Sequence, residues 1–172
     1  LEKTQKSPAE NLAAEIIYGD WDDPKNLITL AEKVDVVTLE NEFVDAKSLK
    51  VLEDKGHILY PSSKTIDLVQ DKLNQKKTLE DAGIPVVDFA AIESPHEINQ
   101  YAKKLGWPII LKARRNAYDG KGNSTLYSED DIASAWAKLN GNNRKLYIEG
   151  FCDFKYELAA MITRDTNGKI IT

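Results

Sequence analysis

The stretch that decides how this chain folds is I-I-L-K-A-R-R-N-A-Y-D-G-K-G-N-S-T-L-Y, residues 109–127. An apolar run ends in Lys112, a basic connection follows with Gly120 and Gly122 in it, and a second short apolar segment returns. Period-two segments on either side of a glycine-bearing turn read as paired strands. Lys112 therefore has a fixed base at a strand end, and the loop gathers Arg114, Arg115 and Lys121 around it. Two uses fit this loop. It can be a charged hairpin tip in water, with glycines for turn geometry. It can also be a cradle whose backbone N–H groups and cations meet an anion. The Gly-Lys-Ser/Thr of a P-loop is missing, and two glycines one residue apart do not make a dinucleotide fingerprint. Asp119 serves equally as a turn residue or as an acceptor for a substrate amine or hydroxyl, and Tyr118 offers a flat stacking face.

Working outward, the carboxyl side of the loop reads as helix 129–139 capped by Ser128, strand K-L-Y-I-E-G-F (145–151) and strand K-Y-E-L-A-A-M-I-T-R-D (155–165). Thr166-Asn167-Gly168 is a hairpin turn signal leading into K-I-I-T. On the amino side, Ser94-Pro95-His96-Glu97 is a capping box ahead of a helix that closes at Leu105-Gly106, and V-V-D-F-A-A-I is a strand. Residues 64–82 are helical in two pieces meeting near Asp71, ending at Gly83. Pro61-Ser62-Ser63 marks a boundary. Before it, a short helix opens at Ser7-Pro8, E-I-I-Y-G-D is a strand, Asp23-Pro24 caps a helix, and V-D-V-V-T-L-E (34–40) is a buried parallel strand. A helix over 45–55 and the strand H-I-L-Y-P (57–61) complete the alternation. The expected architecture is α/β followed by α+β: a partial doubly wound layer over residues 1–61, then a lobe with an antiparallel sheet over 62–172.

Composition narrows the function. The 172 residues are 42% hydrophobic and 30% charged, a globular composition. No apolar run approaches the roughly 20 residues of a membrane helix, and the first residues lack a signal-peptide core. The net charge of −5 argues against a general nucleic-acid surface, so any anion site is local. The lone Cys152 cannot form an internal disulfide and has no base near it in sequence. Neither His57 nor His96 has metal-ligand spacing.

Further acids and a lysine carry chemistry if the context is right. Glu40 lies at the carboxyl end of a parallel strand, the edge where open α/β sheets take ligands. Glu149 closes L-Y-I-E-G-F, where it could accept from an exocyclic amine such as adenine's while the backbone near Phe151 and Cys152 reads the ring edge. Glu157 could accept from ribose hydroxyls. Taken singly, Glu149 and Glu157 are strand-end acids facing water, and Lys72 belongs to a solvated helix face.

Together, D-V-V-T-L-E-N-E, P-S-S-K-T-I with V-Q-D-K, L-G-W-P-I-I-L-K-A-R-R-N-A-Y-D-G-K-G-N, L-Y-I-E-G-F and K-Y-E-L-A-A-M-I stand in one order. That series resembles the 5-(carboxyamino)imidazole ribonucleotide synthetases, ATP-grasp enzymes of purine biosynthesis, over nearly the whole chain. The N-A-Y-D-G-K-G-N and E-L-A-A-M forms resemble the eukaryotic and fungal-type versions, in which the synthetase is fused to a carboxylase domain. The resemblance implies a Rossmann-like pre-ATP-grasp layer followed by the small lobe of an ATP-grasp fold. It implies a cytoplasmic ligase using ATP, Mg2+, bicarbonate and aminoimidazole ribonucleotide, with no nucleic-acid polymer and no membrane as partner, and compatible with a homodimer.

It also implies roles: Lys72 and Lys112 on the ATP phosphates, the 116–123 loop with Gly120 and Gly122 closing over them, and Glu149, Phe151 and Cys152 at the adenine. Glu157 falls at the ribose, and Tyr118, Asp119, Lys121 and Glu40 at aminoimidazole ribonucleotide, with Lys112, Asp119 and Lys121 the catalytic set. Asn116-Ala117 replaces a Gly-Gly common in bacterial relatives, and Gly150 replaces a common lysine. The family's amino-terminal glycine-rich strand–loop is not in this sequence, and the magnesium ligands are expected beyond residue 172. The chain is thus expected to be an internal fragment that does not turn over alone. Another ATP-grasp carboxylate–amine ligase and a non-catalytic nucleotide-binding module are the alternatives.

Overall fold

Helix ends in this chain are fixed by short-range chemistry. Helix α1 (Pro24–Ala31) begins where the Asp23 carboxylate accepts from the Lys25 N–H and Pro24 occupies the first turn. Helix α2 (Ala46–Asp54) begins where Asp45 accepts from the Ser48 N–H, and the chain leaves it through Gly56 at φ +85°. Between and after them, strands β1 (Val37–Thr38) and β2 (Leu59–Tyr60) pair in parallel. Leu49 and Leu52 are fully buried against Leu27, Val37, Leu59 and Ile66, so one apolar cluster holds this layer together.

Helix α3 (Ser63–Gln70) contributes Ile66 to that cluster, and its first residue is tied to the Glu53 carboxylate of α2. The helical run then breaks at Asp71, which has extended backbone (φ −108°, ψ 100°). Its side chain caps helix α4 (Lys72–Asp81) by accepting from the N–H groups of Leu73 and Asn74.

The computed structural model describes residues 1–117 and 121–172. The second lobe is a four-stranded antiparallel sheet in the order β3 (Phe89–Ile92), β6 (Leu146–Gly150), β4 (Ile109–Ala113), β5 (Asn123–Leu126). Helices α5 (Pro95–Leu105) and α6 (Ile132–Lys138) cover one face. Period-two alternation divides the strands. Ile109, Leu111, Ala113, Leu146 and Ile148 point into the core with Ile98, Ala102 and Trp136, leaving Lys112, Tyr147 and Glu149 for the opposite face. At the loop's exit Gly122 is buried, and an added Cβ would overlap that of Ala117 and approach its Cα to 3.0 Å. Glycine there is required by packing.

Several expectations change. The V-D-V-V-T-L-E segment forms two residues of strand, because β1 has a single neighbour and only Val37 is well buried while Val34 and Val36 stay exposed. The expected strand over 15–20 is one bridge between Glu2 and Tyr18, and the Ser7-Pro8 start yields a three-residue 3-10 turn, Glu10–Leu12, with no side-chain cap. Ser94 makes no cap to the helix backbone, although Glu97 reaches back to the Glu93 N–H; the reciprocal box forms instead at Ser128 and Asp131. Residues 151–172 are exposed throughout, and of the expected 155–165 strand only β7 (Thr163–Arg164) forms, paired with β8 (Ile170–Ile171). A strand needs a ladder partner and a cover for its apolar residues. Here Leu158 and Met161 are 90% and 91% exposed.

Candidate functional site

The open face of the second sheet carries the chemistry. Lys112 from β4 places its Nζ 2.7 Å from Glu149 Oε2 of β6. Lys76, one helical turn beyond Lys72 on α4, places its Nζ 3.3 Å from Glu149 Oε1. The Tyr147 hydroxyl, two residues back on β6, donates to the same oxygen at 3.0 Å. Glu149 is 4% exposed, so the expectation of a strand-end acid facing water is wrong for it: the sheet's inner strand places it under α4 and between two lysines. Burial pushes the Glu149 carboxyl upward, but the Lys112 ammonium, then Lys76 and the Tyr147 hydrogen bond, outweigh it and leave the pKa below the ordinary carboxylate value. Burial, reinforced by the Glu149 charge, raises the Tyr147 phenol and keeps it a proton donor at neutral pH.

A second buried carboxylate sets the frame. Asp71 takes a two-pronged contact from Arg114, Nε to Oδ1 at 3.0 Å and Nη2 to Oδ2 at 2.6 Å, while the Arg115 Nε lies 3.5 Å from Oδ2. Burial pushes Asp71 up, yet the Arg114 hydrogen bond, the Asn74 N–H and the charges of Arg114 and Arg115 bring it below the usual range. Arg115 also pairs with Asp67 at 2.9 Å. The two arginines were expected to be charge for a polyanion to offset; they are instead held by acids of α3 and the α3–α4 break. Arg144 donates to the carbonyls of Arg115 and Asn116 and so grips the root of the loop. Lys72 donates its backbone N–H to the Arg114 carbonyl at 2.9 Å and its Nζ to the Ala117 carbonyl at 2.8 Å. It stands at the loop rather than on a solvated face.

Both carboxylates have folded-state pKa values below their unfolded ones, so their stabilisation is complete above the ordinary carboxylate range, near 4.5 for Glu149 and 3.8 for Asp71. It is lost as pH falls through the lower folded values. Urea unfolding should therefore show stability falling from pH 5 toward pH 2. Glu149→Gln should flatten that slope, and an unchanged slope would remove Glu149 as its cause.

The other sequence-predicted residues separate into groups. Glu40 lies just past β1, accepts from Asn41 Nδ2 at 2.9 Å, and lines a cleft of about 500 Å3 with Trp21, Leu27, Val37 and Val44; it does not join the lysine cluster. Gln70 bonds to the carbonyls of Glu42 and Val44, which ties that segment to the end of α3, and a small cleft bounded by Glu42, Phe43, Lys72 and Ala117 runs from there to the loop. Phe151, Cys152 and Glu157 are exposed, and Glu157 has no hydrogen bond or ion pair among the described residues. Lys121 is exposed and Gly122 buried. Tyr118, Asp119 and Gly120 lie outside the described residues. Among the described residues, no group of three His, Cys, Asp or Glu side chains could hold a metal. The described residues do not make a magnesium site. Sequence reading missed Lys76, Tyr147 and Asp71. The first two had signals, an i, i+4 spacing from Lys72 and an i, i+2 spacing from Glu149.

Two family models match the chain. The ATP-grasp domain matches residues 77–172, and the ribonucleotide synthetase preATP-grasp domain matches residues 1–70. The chain belongs to the ATP-grasp family, with a pre-ATP-grasp layer ahead of an ATP-grasp lobe.

Within that family its relatives are specific. It is 38% identical over 174 residues to phosphoribosylaminoimidazole carboxylase of Saccharomyces cerevisiae, a match covering 98% of this chain and 30% of that protein. Crystal structures agree. N5-carboxyaminoimidazole synthetase from Staphylococcus aureus complexed with ADP superposes with a TM-score of 0.91 at 31% identity, covering 98% of this chain and 44% of that one. The Aspergillus clavatus synthase in complex with ADP and 5-aminoimidazole ribonucleotide gives 0.86 at 29% identity, covering 99% and 44%. The chain spans between 29% and 45% of the length of the curated relatives it matches.

Proposed function

We propose that the protein of which this chain forms part carboxylates 5-aminoimidazole ribonucleotide. In this reading a bicarbonate oxygen attacks the γ-phosphorus of ATP, ADP leaves, and carboxyphosphate results. The exocyclic amine of the ribonucleotide then attacks the carboxyl carbon and inorganic phosphate leaves, giving N5-carboxyaminoimidazole ribonucleotide. The amine's proton goes to Asp119 or to the departing phosphate.

Lys112 and Lys72 neutralise the phosphate tail, which phosphoryl transfer needs more than it needs a nucleophilic side chain. Glu149 accepts from the adenine amine, the backbone at Phe151 and Cys152 reads the ring edge, and Glu157 takes the ribose. Tyr118, Asp119, Lys121 and Glu40 face the aminoimidazole ribonucleotide, and the loop with Gly120 and Gly122 excludes water from a labile acyl phosphate. The observation that carries this reading is the open sheet face where Lys112 and Lys76 meet buried Glu149, with Lys72 at the loop root. The ADP and aminoimidazole ribonucleotide bound by the Aspergillus relative support the choice of substrates. A fused carboxylase domain and cytoplasmic location belong to the same reading.

The test is phosphate release from ATP by the full-length protein. It should require bicarbonate and rise with added aminoimidazole ribonucleotide, while the 172-residue chain alone should release none. Release indifferent to the ribonucleotide would reject the substrate.

A further inference from the structure

Tyr147 and Lys76 have no role in the scheme above, yet both touch the acid that would read the base. Strand β6 lies inside the sheet, between β3 and β4, so the Tyr147 ring is 1% exposed. Among the described residues its hydroxyl has one partner, Glu149 Oε1 at 3.0 Å. Lys76 reaches the same oxygen at 3.3 Å from α4, and Lys112 holds the other oxygen at 2.7 Å from β4. A carboxylate offers about four acceptor positions, so three donors leave about one. A group held this way stays an acceptor. An exocyclic amine can donate to the position that remains, whereas a carbonyl oxygen there sets lone pair against lone pair. A site built around one buried polar partner discriminates strongly against an analogue that cannot supply it.

We infer that Tyr147 and Lys76 are positioning residues that fix the choice of nucleobase, holding Glu149 so that it accepts from a 6-aminopurine nucleotide and turns away a 6-oxopurine nucleotide. The inference rests on the adenine-nucleotide reading of the site. The titratable groups facing the Glu149–Tyr147 pair are Lys112 of β4, Lys76 of α4 and Asp71 ahead of α4, while β3 sets uncharged Phe89 opposite Glu149.

The experiment compares ATP and ITP affinities by calorimetry for the unaltered protein, Tyr147→Phe, Lys76→Met and Lys76→Arg. The unaltered protein should prefer ATP. Tyr147→Phe and Lys76→Met should each narrow the ATP-to-ITP ratio by about tenfold, the scale of one charge-assisted hydrogen bond. Lys76→Arg should restore the ratio. A merely structural role would weaken both nucleotides alike, and an unchanged ratio in both variants overturns the inference while leaving the nucleotide site intact. No ATP binding by the unaltered protein would instead sink the underlying reading. Should Tyr147→Phe not fold, the Lys76 variants decide the matter, since that side chain is 23% exposed and Met and Arg both keep an unbranched stem there.

Discussion

Asp71→Ala should lower the unfolding free energy by about 3–5 kcal/mol, the scale of breaking a buried charge pair from one side. The Asp71 and Arg114 side chains are 7% and 17% exposed, so the guanidinium left behind would be largely desolvated and unpaired. Helix α4 would lose its cap at the same stroke, since Leu73 and Asn74 both donate to Asp71 Oδ1. For a chain of this length the change amounts to about 10 °C in Tm. The partner change Arg114→Met adds a discriminating arm. Removing both charges should recover the part of the loss due to the unpaired guanidinium and leave the part due to the missing cap. A loss below about 1 kcal/mol for Asp71→Ala would put the pair in the class of surface ion pairs and refute its role as the joint between α4 and β4.

Lys112→Met should weaken ATP binding about hundredfold, or about 2.7 kcal/mol. The ammonium is partly buried at the end of a sheet strand, where a charge-assisted contact to phosphate is stronger than in open water. Removing it also leaves Glu149 facing Lys76 and Tyr147 alone. Calorimetry along the series ATP, ADP, AMP separates the two consequences. If Lys112 meets the phosphate tail, the penalty should shrink as phosphates are removed. An equal penalty across the series would assign the lysine to the base through Glu149. An unchanged ATP affinity would reject Lys112 as a nucleotide ligand.

Much of the fold was legible because its signals are local. Asp23-Pro24, the break at Asp71 and the stops at Gly56, Gly83 and Gly106 act through one side chain, one φ angle or one turn of hydrogen bonds. The Lys112 strand and its return after the loop were likewise written in alternation and glycine. The strand over 155–165 failed for the converse reason. Its alternation and β-branched residues are real, but a ladder and a cover are properties of neighbours, and in this chain Leu158, Met161 and Ile162 have none.

The sequence by itself therefore determined most of the helices, the strands of the second sheet, the two-lobe order and the lysine at the strand end. Tertiary structure alone decided the partners. The sheet order β3–β6–β4–β5 sets Lys112 beside Tyr147 and Glu149, 35 and 37 positions further on, and the break at Asp71 swings α4 so that Lys76 reaches the same acid. It also gave Arg114 and Arg115 to Asp71 and Asp67 rather than to a ligand. The physical reason is range: helix caps and turns are settled within about four residues, whereas the pairing of buried charges follows from which distant strands share a ladder and which face of each the core claims.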